Sequence, residues 1–101
     1  MSVRLVNPNG SHAVTAQMVG IAARVLPGVV GQTLADMPPM LVTPQELDRA
    51  ADAVAALSFG PEVDGVIVAA FGDPGAGALA ARIGVPVPVI GIGAAAARAA
   101  S

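Results

Sequence analysis

Two short loops carry most of the residue types that could bind a small polar molecule. The first loop reads NPNGS over 7–11 and the second reads AFGDPG over 70–75, and each follows a run of β-branched residues. Each loop also precedes a segment of helical periodicity, so the free N–H groups of a helix N-terminus would face it. An anion, most simply a carboxylate, is the ligand that such a position favours.

Polar side chains within the first loop would add orientation to this binding site. Asn7, Asn9 and Ser11 offer neutral hydrogen-bond donors and acceptors. A third loop, which contains Gly91 and Gly93, would let the backbone approach a ligand closely. The same residue types are also ordinary in turns and helix caps, so a purely structural role for each loop stays open.

Composition indicates one domain that contacts another chain. The chain has 101 residues, which is the size of a single domain. Hydrophobic residues make up 54% of it and charged residues only 12%, about half of the ~25% charged content that is typical of globular domains. We expect part of this apolar surface to be buried in a homo-oligomer, most simply a dimer.

Several functional classes are disfavoured by the same composition. A net charge of −2, five arginines that are spread singly and two aromatic residues do not suit nucleic acid binding. The absence of cysteine excludes a disulfide framework, a thiolate metal site and a thiol nucleophile, and we expect no metal. No apolar run is long enough for a membrane span and no basic segment opens a signal peptide, so a cytoplasmic location is expected. His12, the only histidine, is more typical of a solvated residue at a helix start.

Short β-branched runs alternate with segments of helical period along the whole chain. Strands are predicted at 3–6, 29–34, 65–70 and 87–90, and helices from the cap Ser11 to Pro27-Gly28, from the cap Thr43 to about Ser58, at 75–83 and at 94–100. This βαβαβαβα order predicts a single α/β domain over 1–101, with a parallel sheet, right-handed crossovers and helices on both faces. A flavodoxin-like strand order of 2-1-3-4 is expected. The first and second loops would then flank the point where the winding reverses, which is where such sheets bind ligands.

Individual segments add detail to this prediction. Thr43 to Glu46 (TPQE) reads as a capping box with proline at the first helical position. The run at 65–70 has no polar alternation, which is typical of a strand covered on both faces. Gly31 makes the second strand a weak or edge strand. The predicted apolar stripe of the first helix is Val14, Met18, Ile21 and Val25, and that of the second is Leu47, Ala50, Ala51, Val54 and Leu57.

Three ordered motifs resemble one known family. The stretches VRLVNPNGS, DGVIVAAFGDPG and VPVIGIGAAA, in this order, resemble the N-terminal half of the aspartate/glutamate/hydantoin racemase superfamily, most closely its hydantoin and allantoin racemases. The resemblance covers nearly all of the chain, although 34–54 is only loosely similar. It implies a flavodoxin-like lobe, a cofactor-independent enzyme family and a chain about twice this length with two such lobes.

The resemblance also implies a mechanism from which this chain departs. Members of the family invert a carbon beside a carbonyl with two cysteines, one from each lobe, because one group must remove the proton while another delivers a proton to the opposite face. The first cysteine lies in a motif similar to Ala-Cys-Phe-Gly-Asp-Pro-Gly, where this chain has Ala70. The second belongs to a lobe that is absent here. Ala94 replaces a glutamate of the family, and Gly10 stands where threonine is usual.

What the resemblance leaves in place is a frame for a small carboxylate or a hydantoin-like ligand. The expected ligand-binding residues are Asn7, Asn9, Ser11, Phe71, Gly72, Asp73, Gly91 and Gly93. Proton transfer would have to recruit His12, Asp73 or Glu62, which the family pattern does not position. Three hypotheses therefore stand: a ligand-binding relative without two-thiol chemistry, an excised or engineered lobe of an active racemase, and a structural or regulatory module that binds no small molecule.

Overall fold

Strands and helices alternate along the chain in the computed structural model, which describes residues 2–69, 75–83 and 89–91. The elements are β1 (Val3–Asn7), α1 (His12–Ala22), β2 (Val30–Thr33), α2 (Pro44–Ala55), β3 (Gly65–Val68), α3 (Ala76–Ile83) and β4 (Val89–Gly91). The predicted α/β class with a parallel sheet is confirmed. The helix predicted at 94–100 lies outside the described residues.

The described strands form one parallel sheet in the order β2-β1-β3-β4. β1 lies in the interior, where Asn7 is opposite Thr33 of β2 and Val6 is opposite Val68 of β3. Within the described part of the chain, β2 pairs with β1 alone and is therefore an edge strand. The winding reverses between β1 and β3, which places the end of β1 at the switch point of the sheet.

Two apolar layers cover the two faces of the sheet. On one face, α2 and α3 pack over a cluster of Val6, Val54, Val63, Val66, Val68 and Leu79. On the other face, α1 packs over Leu5, Val29 and Ala69 with support from Met18, Val19, Ala22 and Leu26. Leu5 and Val6, which are neighbours in β1, belong to different layers, as the pleat of a strand requires. Helices therefore cover both faces of the sheet.

The first helix differs from its prediction in length and in rotation. It ends at Ala22 rather than at Pro27, and the chain continues to the proline in single turns such as Val25 N–H to the Ala22 carbonyl. The predicted stripe packs on the sheet only in part, since Met18 contacts the apolar layer while Ile21 is 65% and Val25 is 78% exposed. α1 is apolar nearly all round, so its sequence pattern alone does not define the inner face.

Close backbone approaches at two glycines bring the helices onto their neighbours. A Cβ atom at Gly31 would lie 2.7 Å from Thr15 Cγ2 and 2.8 Å from Val19 Cγ2, so glycine lets α1 settle on β2. At Gly75 the φ angle is +74°, and a Cβ atom would overlap the carbonyl oxygen of Ala51. Glycine is therefore needed there both for conformation and for the contact between α3 and α2.

The start of α2 matches its sequence signature. Thr43 Oγ1 accepts from Glu46 N at 3.1 Å, and Glu46 Oε1 accepts from Thr43 N at 3.0 Å and from Val42 N at 3.1 Å. The hydrogen bonds from the backbone of Thr43 and of Val42 lower the pKa of the Glu46 carboxyl below its ordinary value of 4.5. The predicted capping box is therefore confirmed.

This capping box predicts a defined dependence of stability on pH. Because the pKa of Glu46 is lower in the folded chain, its contribution to stability is present above the unfolded value and is lost as pH falls through the folded value. Between pH 5 and about pH 3, Glu46→Gln is expected to lose less stability than the wild-type chain, measured by thermal unfolding. Asp48→Asn removes a carboxylate of the same helix that makes no such hydrogen bonds in the described structure, and an equal effect in both variants would contradict the prediction.

Candidate functional site

The loop that follows β1 occupies the switch point of the sheet. It runs from Asn7 to Ser11 and leads directly into the first turn of α1. Gly91, the last residue of β4, lies opposite Val68 at the same end of the sheet. Ala70 and the predicted ligand residues Phe71, Gly72, Asp73 and Gly93 lie outside the described residues. The described part of the site is therefore the loop itself and the elements packed against it.

The side chain of Asn7 fixes the conformation of this loop through hydrogen bonds. It is fully buried, and its Nδ2 group donates to Thr15 Oγ1 at 3.0 Å and to the Ser11 carbonyl oxygen at 3.2 Å. Its Oδ1 atom accepts from Asn9 N at 3.1 Å. Both donors of the amide are thus used within the chain. In this conformation Asn7 shapes the loop from inside and has no N–H group left for a ligand.

Asn9 and Ser11 continue the same chain of local hydrogen bonds. Asn9 Oδ1 accepts from Ser11 N at 3.0 Å, and Ser11 Oγ accepts from Val14 N at 3.2 Å as the N-cap of α1. The cap predicted at Ser11 is therefore confirmed. The Nδ2 group of Asn9 has no hydrogen-bond partner among the described residues, and Asn9 is only half-buried. This amide group is therefore a side-chain donor of the loop that no described residue uses.

Two threonines that the sequence analysis did not single out add further hydrogen bonds to the network that holds the loop. Thr15 is buried, and its Oγ1 atom lies 2.7 Å from Thr33 Oγ1 of β2 and 3.1 Å from the Ser11 carbonyl oxygen. Thr33 faces Asn7 across the strand pair. A signal was present in the sequence, because Thr15 lies four residues after the cap Ser11, at the spacing at which a threonine hydroxyl bonds back to a carbonyl in a helix.

The connection after β2 packs directly against the loop. Gly10 N donates to the Pro38 carbonyl oxygen at 2.9 Å, and Leu34 N donates to the Asn7 carbonyl oxygen at 3.1 Å. A Cβ atom at Gly10 would overlap the carbonyl oxygen of Met37. Glycine at position 10 thus leaves room for the backbone of the 34–38 segment. The family usually has threonine at this position.

The titratable groups considered for proton transfer are placed very differently. His12 is exposed at the first residue of α1, beside the loop. Glu62 precedes β3 and so lies at the amino end of the sheet, opposite the loop; Ser2 N donates to Asp64 Oδ2 at that end. Recruitment of Glu62 to this site is therefore excluded by the topology.

Neither a metal centre nor a membrane span is found in the described part of the chain. Residues 2–69, 75–83 and 89–91 contain no group of three His, Cys, Asp or Glu side chains that could hold a metal ion. Among the same residues, every helix is too short or too polar to cross a bilayer. The described groups at the loop are its backbone N–H groups, the Asn9 amide and the neighbouring imidazole of His12.

Fold and loop together define a class of protein: an α/β lobe with a rigid polar loop at the switch point of a parallel sheet. A profile of the Asp/Glu/hydantoin racemase family matches residues 3–101, and the chain belongs to this family. It is similar to the solved structure of allantoin racemase from Klebsiella pneumoniae, with 34% identity and a TM-score of 0.72. The match covers 98% of this chain and 42% of that one, so the chain spans less than half of the enzyme's length. No curated protein matches the chain.

The different roles of the two asparagines can be tested with one substitution. Asn7→Asp removes both donated hydrogen bonds and buries a carboxylate beside the Ser11 carbonyl oxygen, so we expect a loss of about 3 kcal/mol or more in the free energy of unfolding. Asn9→Asp keeps the acceptor for Ser11 N and adds a negative charge near the N-terminus of α1, so its stability should stay within about 0.5 kcal/mol. Urea unfolding measures both. Equal losses would show that Asn7 does not hold the loop.

The close contact at Gly10 gives a second matched pair. Gly10→Ala places a methyl group on the Met37 carbonyl and is expected to cost about 1–3 kcal/mol of stability. Gly20, on the exposed side of α1, has open space around the same atom, so Gly20→Ala should instead stabilise the chain by up to ~1 kcal/mol through helix propensity. Thermal unfolding of the two variants should therefore shift in opposite directions, and a neutral Gly10→Ala would contradict the described packing.

Proposed function

We propose that this chain is a racemase-family lobe that binds a small carboxylate or a hydantoin-like compound at the crevice between β1 and β3. The observation that carries the proposal is the loop 7–11, which its own side chains hold at the N-terminus of α1. A preformed loop loses little conformational entropy on binding. The Nδ2 group of Asn9 and the first backbone N–H groups of α1 would bond to a carboxylate or carbonyl oxygen.

We do not propose that this chain catalyses racemisation on its own. The reaction of the family needs one group to remove the α-proton and a second group to protonate the opposite face. Position 70 carries a methyl side chain, which neither accepts nor donates a proton. Glu62 lies at the far end of the sheet, and the imidazole of His12 by itself supplies only one of the two groups. We therefore propose that the chain binds a ligand and lacks the two-thiol chemistry of the family.

A second copy of the chain is the proposed partner. Large apolar side chains are exposed on α1 and just beyond its end: Val14, Ile21 and Val25. Met40, Val42 and Leu47 are exposed before and at the start of α2, which packs on the other face of the sheet. Such residues are costly to leave in water when they form a contiguous surface. A symmetric dimer would use the same surface twice and would bring two loops together.

Two other readings remain as alternatives. The same apolar residues would suit contact with a second lobe, and the solved allantoin racemase is more than twice as long as the aligned segment. The chain would then be one lobe of a racemase. A structural or regulatory module is the second alternative, because a fold does not by itself carry an activity. These two hypotheses predict a different oligomeric state or a different response to ligands from the main proposal.

Ligand-dependent stabilisation tests the proposal. Thermal unfolding is followed with malonate, aspartate, hydantoin and allantoin, on protein whose oligomeric state is determined by light scattering. A bound ligand at a hundredfold excess over Kd stabilises the folded chain by ~2.7 kcal/mol, which is a shift of roughly 10 °C or more for a domain of this size. We expect a dimer and a shift with at least one of these compounds.

Asn9→Asp is the matched variant for this experiment. It is expected to keep the fold, but it replaces the free donor with a carboxylate oxygen that repels an anionic ligand. The ligand-dependent shift should therefore disappear while the unfolding temperature without ligand is unchanged. A shift that persists in Asn9→Asp would place the ligand elsewhere. A dimer that responds to none of the compounds would favour the structural module, and an aggregating monomer would favour a lobe without its partner.

A further inference from the structure

A second concave site lies against the 34–38 segment. A cavity of about 520 Å³ opens at the carboxyl end of β2, between this segment and α2. Its volume is within the range of roughly 300–1,000 Å³ that small-molecule sites occupy. The cavity also lies at the carboxyl edge of the sheet, the edge at which open α/β sheets bind ligands, although it is outside the switch point itself. Position and size together therefore suit a small organic molecule.

The lining of the cavity combines an apolar wall with two opposite charges. Leu34, Met37 and Ala53 supply the apolar part, while Asp36 and Arg49 supply a carboxylate and a guanidinium group. Both charged side chains are exposed and so can be reached from solvent. Apolar walls with a few polar groups are the usual composition of a small-molecule pocket, because the wall supplies affinity and the polar groups set orientation.

Arg49 is held in place without using most of its donors. Its Nη2 atom donates to the Asp36 carbonyl oxygen at 3.2 Å, which anchors the guanidinium group at the cavity. Among the described residues it makes no other hydrogen bond. A planar guanidinium group binds carboxylates with paired hydrogen bonds, and an arginine that is already positioned loses less side-chain entropy on binding.

From these features we propose that the cavity binds a small monocarboxylate with an apolar body, with its carboxylate on Arg49 and its hydrocarbon part against Leu34 and Met37. The carboxylate of Asp36 disfavours ligands of higher negative charge, such as phosphates and dicarboxylates. This site is independent of the ligand proposed for the loop 7–11. Thr33 lines the cavity and also contacts Thr15 under the loop, so the two sites are neighbours. The residues proposed to bind the two ligands, Arg49 and Asn9, are different, so each site can be tested without the other.

The probe is 4-methylpentanoate, compared with the neutral 4-methylpentanamide of nearly the same shape, in calorimetric titrations of the whole chain. The acid should bind, and the amide should bind at least about tenfold more weakly, because a hydrogen bond to a charged group contributes ~1.5–3 kcal/mol. Arg49→Gln should weaken binding of the acid by a similar factor. Arg24→Gln, at an exposed arginine after α1, makes the same change in net charge and should bind like the wild-type chain.

Two more variants test the same cavity if Arg49→Gln does not fold. Arg49→Lys retains the charge without the planar fork and should give intermediate affinity. Ala53→Met fills the cavity at constant charge and should abolish binding. Asn9→Asp should leave binding of this probe unchanged, which separates the cavity from the loop 7–11. Absence of binding at millimolar concentration, equal binding of acid and amide, or equal weakening by Arg49→Gln and Arg24→Gln would each overturn the proposal.

Discussion

The buried amide of Asn7 is the interaction on which the site end of the sheet depends. A polar side chain that is removed from water must find partners, since each unsatisfied group costs about 1–3 kcal/mol. Asn7 finds them in the Ser11 carbonyl oxygen and in Thr15 Oγ1, and Thr15 in turn contacts Thr33. One requirement for satisfied hydrogen bonds thus fixes β1, the loop, α1 and β2 relative to one another.

The rotation of α1 follows from this constraint and has a consequence for assembly. Turning Thr15 inward towards Asn7 leaves Ile21 and Val25 on the outer side of the helix or just beyond its end, where both are largely exposed. The hydrophobic effect alone would have favoured burying them. The hydrogen-bonded network therefore leaves an apolar surface that a second chain can cover, which links the geometry of the candidate site to the proposed dimer.

The frame of the racemase family and its chemistry are separable in this chain. Binding a carboxylate or carbonyl oxygen needs N–H groups at fixed positions, and the loop 7–11 supplies these without any titratable group. Inverting a carbon needs two groups that exchange protons on opposite faces. In the proposed function, the methyl side chain at Ala70 lacks the second property while the loop 7–11 keeps the first. The residues that place the chain in the family are therefore different from those that the family's reaction requires.

The sequence by itself determined what depends on neighbouring residues. The caps at Ser11 and Thr43, the box with Glu46 and the alternation of strands and helices are local, because the groups involved lie within four residues of each other. The continuous apolar run at 65–70 likewise indicated a strand covered on both faces. Together with three ordered motifs, these local signals were sufficient for the fold class and for the family.

Only the tertiary structure decided which distant residues the side chains of the loop 7–11 and of α2 contact. Asn7 meets Thr33, Gly10 meets Met37 and Arg49 meets Asp36 across long separations in the sequence. No periodicity encodes such pairs, because they arise from the register of strands and from the close approach of backbones. Asn7, which the sequence predicts to contact a ligand, donates both of its amide hydrogen bonds within the chain, and Arg49 lines a cavity.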